Sequence, residues 1–401
     1  MDKIINRNNV PKLRFGEFNN EWKEVKLKDL STDISYGMNV PATDYDGENK
    51  YIRITDIDEE TSLYTNNNVS PLGILDDKFL LKENDILFAR TGASTGKTYL
   101  YDKKDGKLYY AGFLIKAHIK DNYIGKFIFE QTKLNKYYNW VRITSMRSGQ
   151  PGINSLEYGN YKFAITSIFE QQKIANFFTL IDKKINLQTQ KVELLKKYKK
   201  ALLEKIYKEK LKAIKLVNLK ELAHLQGGFA FESKLFTKKG MPIIRISNIN
   251  ENIIDLKDVV YYNAGILIDS KFEVNKGDML IAMSGATTGK FGIYNDTKKA
   301  YLNQRVGKLI LHKKDIIYSY LYFLFELNSY NIQLKNRLVA GAQPNISPSD
   351  IEALKFKIPS INVQKNIIDI YNSISKKIRE NENKLKNLKD LKKGLLQKMF
   401  I

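Results

Sequence analysis

The sequence predicts a mixed α/β protein: two duplicated α/β domains, separated by two long helices that pair as an antiparallel coiled coil about a pseudo-twofold axis. Three observations predict it. The chain repeats itself at one long period. Each repeat opens with short apolar runs broken by turn residues, and each closes on a long stretch patterned in sevens. With 401 residues there is room for two or three domains that each bury a core. A hydrophobic content of 43% excludes a disordered chain.

The repeat organises everything else. VKLKDL at 25–30 resembles VNLKEL at 217–222, and YIRITDI at 51–57 resembles IIRISNI at 243–249. NDILFARTGASTGK at 84–97 resembles GDMLIAMSGATTGK at 277–290, GQPGI at 149–153 resembles AQPNI at 342–346, and KKALLEKIY at 199–207 resembles KKGLLQKMF at 392–400. The offset is 192 for the first two pairs and 193 for the others. An offset that steady across five segments means two diverged copies of one unit behind a short N-terminal extension.

Each copy divides in two. The parts at 22–166 and 214–359 are rich in Ile, Tyr, Phe and Val, with runs interrupted by Gly, Asn, Asp and Pro, which predicts short strands and some helix. The parts at 168–210 and 361–401 hold no proline and almost no glycine, which predicts one long helix each. The domain limits are thus 1–167 and 213–360, with helices over 168–212 and 361–401.

Ile181, Ile185, Val192, Leu195, Leu202 and Ile206 fit the a and d positions of heptads. Ile374, Ile378, Leu385, Leu388, Leu395 and Met399 fit them again 193 residues on. Two separate amphipathic helices, each lying on its own domain, would read alike. Pairing is preferred because both copies carry the same seam and both need a partner for it. Antiparallel pairing about position 193 would set Gln188 against Lys392 and Lys199 against Asn381, polar residues that fix register.

The charge narrows the partner. The chain has 66 Lys and Arg against 44 Asp and Glu, a net +22, and calls for nucleic acid or an anionic membrane. The start MDKIINRNNV has no apolar secretory core, and IIYSYLYFLFEL at 316–327 is too short to span a bilayer, so the membrane reading is weak. Absence of cysteine excludes disulfides and thiolate zinc sites and fits a reducing cytoplasm. Only His118, His224 and His312 are present, which excludes a histidine-rich metal site.

Catalytic signatures are missing. TGASTGKT at 91–98 and SGATTGKF at 284–291 look like phosphate loops, but three residues rather than four separate Gly92 from Gly96 and Gly285 from Gly289, and Phe291 replaces the needed hydroxyl. Strand-like TYLY and FGIY follow instead of a helix. The sequence contains no G-x-G-x-x-G, no H-E-x-x-H and no D/N-P-P-Y/F methylation motif. The turns read better as glycine-rich hairpins. In one reading the glycines only satisfy the turn. In the other, Thr91, Ser94, Thr95 and Lys97, with Ser284, Thr287, Thr288 and Lys290, meet DNA phosphates.

Arg and Gln suit base edges, since Arg pairs bidentately with guanine and Gln with adenine. The candidates are Arg90, Arg147, Ser148 and Gln150 in the first copy and Gln304, Arg305 and Gln343 in the second, with Tyr36 and Phe229 in an aligned loop after each first strand. For each, a structural or solvated role stands beside the DNA contact. Met283 aligns with Arg90, and Ala340 with Arg147, so the copies would read different bases.

Taken together, VPKLRFGEFNNEWKEVKLKDL, YIRITDI followed by NDILFARTGASTGK, and GQPGINSLEYGNYKF leading into FEQQKIANFF, with the set recurring 192 or 193 residues later, resemble the specificity subunit of a type I restriction–modification system. The resemblance covers nearly the whole chain. It implies two target-recognition domains, each reading half of a split double-stranded DNA site. It also implies helices that dock two methyltransferase subunits, in a complex that can add restriction/translocase subunits. The chain would be non-catalytic and cytoplasmic, with S-adenosylmethionine, ATP and Mg²⁺ held by partners and no cofactor of its own. The family's Pro before the helix is Thr166 in the first copy and Pro359 in the second. Its Glu is Glu170 and then Val363, while Gln171 and Gln364 both remain. The alternatives are a self-contained DNA-modifying or DNA-cleaving enzyme, against which the missing methylation motif argues, and a non-specific coiled-coil DNA scaffold.

Overall fold

Short apolar runs become short strands in a computed structural model of the chain, which describes residues 9–146, 150–250, 252–263, 268–312, 315–338 and 344–401. The chain divides into two units, Met1–Thr189 with Asn383–Ile401, and Gln190–Glu382. In the first unit β1 (Lys23–Lys26) will pair with the last strand of the domain. β2 (Ser31–Tyr36), β3 (Asp85–Ala89), β4 (Thr98–Leu100) and β5 (Leu114–Ile119) form an antiparallel sheet in the order β2–β5–β3–β4. The apolar run ILFA of β3 is buried throughout, as a central strand requires, and Asp85 before it is buried against His118. Helices α1 (Gly125–Gln131), α2 (Asn135–Thr144) and α3 (Ser155–Asn160) follow, and β6 (Lys162–Ile165) returns antiparallel to β1. The chain then enters α4 (Ile168–Lys205), which ends in a π-helical turn at Ile206–Lys210.

The second unit repeats the plan. β7 (Leu216–Asn218) again waits for the last strand. The sheet β8 (Ala223–Gly227), β9 (Met279–Ala282), β10 (Phe291–Ile293) and β11 (Val306–Leu311) has the order β8–β11–β9–β10 and is extended beyond β10 by two short strands at 252–254 and 249–250. After α5 (Tyr318–Glu326), α6 (Asn328–Lys335) and α7 (Pro348–Glu352), β12 (Lys355–Lys357) pairs with β7, and α8 (Ile361–Met399) closes the chain.

Each long helix serves both units. In the first, the beginning of α4 (Ile174, Ala175, Phe178) and the end of α8 (Leu396, Met399) share one core with Trp22 and Phe127, and Phe400 packs 5.9 Å from Trp22 and 5.2 Å from Phe127 between ring centroids. In the second, the end of α4 (Leu203, Ile206) and the beginning of α8 (Ile367, Ile368, Tyr371) share a core with Phe323 and Phe356. The pairing is antiparallel in each. Phe178 meets Phe400 while Asp182 meets Lys392, and Lys196 meets Glu382 while Lys199 meets Tyr371. The heptad positions face inward: Val192, Ile206, Ile374, Ile378 and Met399 are buried, and Ile181, Ile185, Leu195, Leu202, Leu385, Leu388 and Leu395 are half-buried.

The two seam lysines take ionic partners that the heptad pattern does not name. Lys392 bonds Asp182 at 2.6 Å and lies 3.4 Å from Glu130 of α1, whose other oxygen takes Lys126 at 2.5 Å. Lys199 lies 2.7 Å from Glu326 of α5 and 4.2 Å above the Tyr371 ring. Both seam lysines therefore tie the helix pair to its domain, where a low local dielectric strengthens the attraction. The two glutamines at the helix starts do related work. Gln171 accepts from the Ile124 N–H and donates to the Thr166 carbonyl, and Gln364 accepts from the Ile317 N–H and donates to the carbonyls of Asp315 and Pro359. Where the second copy has Val363, the first has Glu170, held at 2.6 and 2.7 Å by Arg14 of the N-terminal extension.

The glycine-rich turns lie against a helix. Gly96 and Gly289 have φ of +89° and +79°. A β-carbon at Gly96 would sit 2.5 Å from Val141 of α2, and one at Gly289 would sit 2.0 Å from Leu334 of α6. Tyr137 and Tyr330 of the same helices donate to the carbonyls of Gly96 (3.1 Å) and Gly289 (2.7 Å).

Two outcomes follow. Gly289→Ala combines a disfavoured φ with overpacking and should cost about 2–4 kcal/mol, whereas Gly47→Ala, with φ +95° and open space, should cost only about 1 kcal/mol. Urea denaturation of the two variants checks the contrast, and in a Leu334→Ala background the further cost of Gly289→Ala should be smaller. The second concerns Lys133, whose ammonium donates to Ser62 and Thr98 and sits 4.4 Å from the Phe129 ring. Burial, aided by Lys392 and Lys126 and opposed by Glu130, pushes its pKa down to about 7. An unfolded lysine keeps its proton to about pH 10.4, so between those values the unfolded state binds more protons and stability rises with pH. Melting temperatures at pH 6.5 and 9 should show a smaller rise in Lys133→Met than in the parent chain.

Candidate nucleic-acid interface

The turn between β3 and β4 holds a loop rather than standing free. The Gly92 N–H donates to the Pro151 carbonyl at 2.9 Å, and the Thr95 hydroxyl donates to the carbonyls of Gly92 (2.8 Å) and Pro151 (3.3 Å). In the second unit the Gly285 N–H reaches the Pro344 carbonyl at 3.1 Å, and the Thr288 hydroxyl reaches Gly285 and Pro344, both at 2.7 Å. Thr91 bridges Gly152, and Ser284 bridges Asn345. Two motifs that look separate in sequence, T/S-G-A-x-T-G-K and Q-P, are therefore one clasp.

This clasp corrects the phosphate reading of several hydroxyls. Thr95 and Thr288 donate within the clasp, Thr287 donates to the Ile246 carbonyl at 3.0 Å, and Ser284 is buried. The three threonines serve the fold, whereas the buried Ser284 hydroxyl has no hydrogen-bond partner among the described residues. Thr91 and Ser94 are half-buried. Lys97 lies 3.6 Å from Glu59, and Lys290 donates to Asn250 at 2.9 Å; both are half-buried beside exposed partners, and so remain available to an anion.

Beside the clasp, the ends of three neighbouring strands bring together side chains of another kind. Arg90 follows β3, and its guanidinium carbon lies 4.8 Å from the centroid of the Tyr36 ring at the end of β2. The Tyr36 hydroxyl accepts from the Ser155 N–H at 3.1 Å. Burial opposes ionisation of this phenol, yet the Ser155 hydrogen bond and the Arg90 charge outweigh it and lower its pKa. Gln150 is exposed next to Gly92. Between β2 and β3 in the sheet lies the start of β5, preceded by the turn Ala111–Leu114, whose tip Phe113 is 57% exposed. Arg147, Ser148 and Gln343 lie outside the described residues.

Register fixes the counterparts in the second unit. Tyr36 pairs with Ile115 and Gly227 with Gly307, so Tyr36 corresponds to Gly227. Phe229, expected to match Tyr36, instead bridges Asn303 as Met38 bridges Ala111. Its ring packs 5.0 Å from Phe231 and 5.4 Å from Phe272, in an aromatic cluster that holds the fold. The Arg90 N–H bonds the Phe113 carbonyl as the Met283 N–H bonds that of Arg305. Arg305 thus stands where Phe113 does, and Gln304 where Gly112 does. Both Gln304 and Arg305 are exposed.

Phe113 is the residue that sequence reasoning missed. The signal was an apolar side chain directly after Gly112, at a position where the other copy carries a cation. Among the described residues no cluster of three His, Cys, Asp or Glu side chains could hold a metal, and no helix is long and apolar enough to cross a membrane.

Comparison with known proteins places this geometry. A family model described as the type I restriction modification DNA specificity domain matches twice, over residues 19–197 and 212–390. The type I restriction enzyme MjaVIII specificity subunit of Methanocaldococcus jannaschii is 24% identical over 344 residues, 80% of each chain. A putative type I restriction enzyme MjaX specificity subunit of the same organism is 24% identical over 215 residues, 50% of this chain and 48% of that one. The fold is similar to that of the type I restriction–modification S subunit from M. genitalium, with a TM-score of 0.58 at 16% identity over 98% of this chain and 99% of that one. A chain from a structural study of complex assembly and conformational transition in a type I restriction–modification system gives 0.54 at 14% identity, covering 94% and 97%.

Proposed function

This chain belongs to the type I restriction–modification DNA specificity family, and on that premise we propose that each of its two recognition domains reads one half of a bipartite DNA site while the long helices carry two methyltransferase subunits. Methyl transfer and cleavage, with S-adenosylmethionine, ATP and Mg²⁺, belong in this reading to those partners and to restriction subunits. The observation that carries it is one clasp built twice beside strand ends that carry two different sets of residues. Tyr36, Phe113 and Arg90 in one unit stand where Gly227, Arg305 and Met283 stand in the other, while Gln150 has the same residue, Gln343, aligned with it in the sequence. A repeated scaffold with unlike tips suits a reader of two unlike half-sites. The net charge of +22 supplies sequence-independent phosphate attraction, and Lys97 and Lys290 flank the tips.

Support for docking comes from the outer face of α4. Leu180, Leu187 and Leu194 recur every seven residues and are 67%, 57% and 64% exposed. They lie off the buried seam, and an apolar stripe of this kind marks a further helical partner. The corresponding positions of α8 are Ser373, Glu380 and Asn387. In the second unit, Leu202, Ile370 and Ile374 line a shallow apolar groove along the paired helices.

Two experiments test the reading. Replacing residues 22–166 by the same segment of another family member should change one half of the methylated motif and leave the other, as read by methylome sequencing. A change in both halves would remove the assignment of one domain to one half-site. Leu187→Glu should leave the melting temperature of the isolated chain unaltered but lower its co-purification with methyltransferase subunits, because a buried unpaired charge costs several kcal/mol at such an interface. Undiminished co-purification would move the docking surface elsewhere.

A further inference from the structure

We propose that the turn Ala111–Leu114 enters a groove of the DNA and that Phe113 wedges into one base step of the half-site bound by the first unit. The inference rests on the DNA-recognition reading above and specifies how one domain uses it.

A wedge needs an exposed apolar side chain on a stiff support. Phe113 is 57% exposed at the tip of its turn. The turn is closed by the Leu114 N–H to the Ala111 carbonyl at 2.8 Å. It is then tied on both sides: Gly112 N–H to Met38 O at 2.7 Å and Gly37 N–H to Leu114 O at 3.2 Å toward β2, and Arg90 N–H to Phe113 O at 3.1 Å toward β3. The ring therefore projects from backbone fixed by two neighbouring strands. Gly112 has no side chain, and a β-carbon there would meet the Met38 carbonyl at 3.2 Å, so nothing bulky stands beside the ring on the chain. The Arg90 guanidinium, held over Tyr36, places a cation at the same strand ends, where a phosphate or a narrowed minor groove would meet it. Phe is among the side chains that unstack base steps, and flexible pyrimidine–purine steps yield most readily.

The second unit carries the complementary choice. At the corresponding tip Arg305 replaces Phe113 and Gln304 replaces Gly112, while the neighbouring strand ends carry Met283 and Gly227 in place of Arg90 and Tyr36. Its tip is equipped to pair with base edges rather than to separate them. One half-site is thus deformed by an apolar wedge and the other is read by hydrogen bonds.

The test uses the full chain in complex with its methyltransferase subunits, after segment exchange has assigned the half-sites. 2-Aminopurine is placed in turn at each position of the first unit's half-site, the methylated base excepted. The complex should give a several-fold fluorescence rise at one step. Phe113→Trp should keep the rise, Phe113→Ala should abolish it without lowering the melting temperature, and Ile74→Ala, at an exposed apolar side chain elsewhere in the same unit, should leave it intact. No rise at any step, or a rise that survives Phe113→Ala, overturns the wedge while leaving half-site recognition standing. A methylated motif with no half that follows residues 22–166 overturns the recognition reading and the wedge with it.

Discussion

One close approach sets the rest of the candidate interface: a helix resting against a turn that has no β-carbon. Tyr137 and Tyr330 donate to the carbonyls of Gly96 and Gly289, and Val141 and Leu334 occupy the space where a side chain would be. With the turn fixed, Thr95 and Thr288 can hold the carbonyls of Pro151 and Pro344, and the loops carrying those prolines lie alongside Arg90 and Met283. Tyr158 adds a bond from α3 to the Ala89 carbonyl at the end of β3. The exposed tips are therefore supported by buried contacts that do not depend on what the tips are made of. That separation lets a duplicated domain change its outward side chains without changing its frame.

Much of this was legible in the sequence, for identifiable reasons. The repeat survives because the buried positions tolerate few substitutions, and the seam survives because a heptad leaves a periodic trace. The paired Q-P and glycine-rich motifs were visible as repeats, but their union was not, because a hydroxyl reaching a carbonyl 56 residues away leaves no local pattern. Their hydroxyls looked like phosphate ligands for the same reason. The match of Phe229 to Tyr36 failed through a slip of two residues around Gly37 and Gly228. Only strand register resolves such a slip. Lys199 and Lys392 were recognised as polar seam positions, yet their partners Glu326, Asp182 and Glu130 belong to the opposite helix or to the domain and could not be read from the heptad.

The two copies differ where helix meets domain. In the first, Lys126, Glu130, Lys133, Asp182 and Lys392 form a partly buried charge network, with Lys126 2.7 Å from Asp182. In the second, Lys199, Glu326 and Tyr371 suffice, the tyrosine donating to Glu326 at 2.7 Å. Partly buried ion pairs of this sort add orientation more than stability, since desolvation offsets much of the attraction. The seam lysine is common to both, so the angle between helix pair and domain is set in each unit by a directional contact rather than by apolar packing alone.

The distribution of the long helices between units has a consequence for synthesis on the ribosome. The core of the first unit includes Leu396, Met399 and Phe400, which pack around Trp22, Phe127 and Phe178. Those last residues are made only after the whole of Gln190–Glu382. At ~5–20 residues per second the delay is about 10–40 s. Throughout it the nascent first unit leaves Trp22 and its aromatic neighbours without their closing helix. The second unit draws its core from a single uninterrupted stretch of chain and waits for nothing downstream. The unit translated first is thus the one completed last, and during that interval it is the natural client of a chaperone.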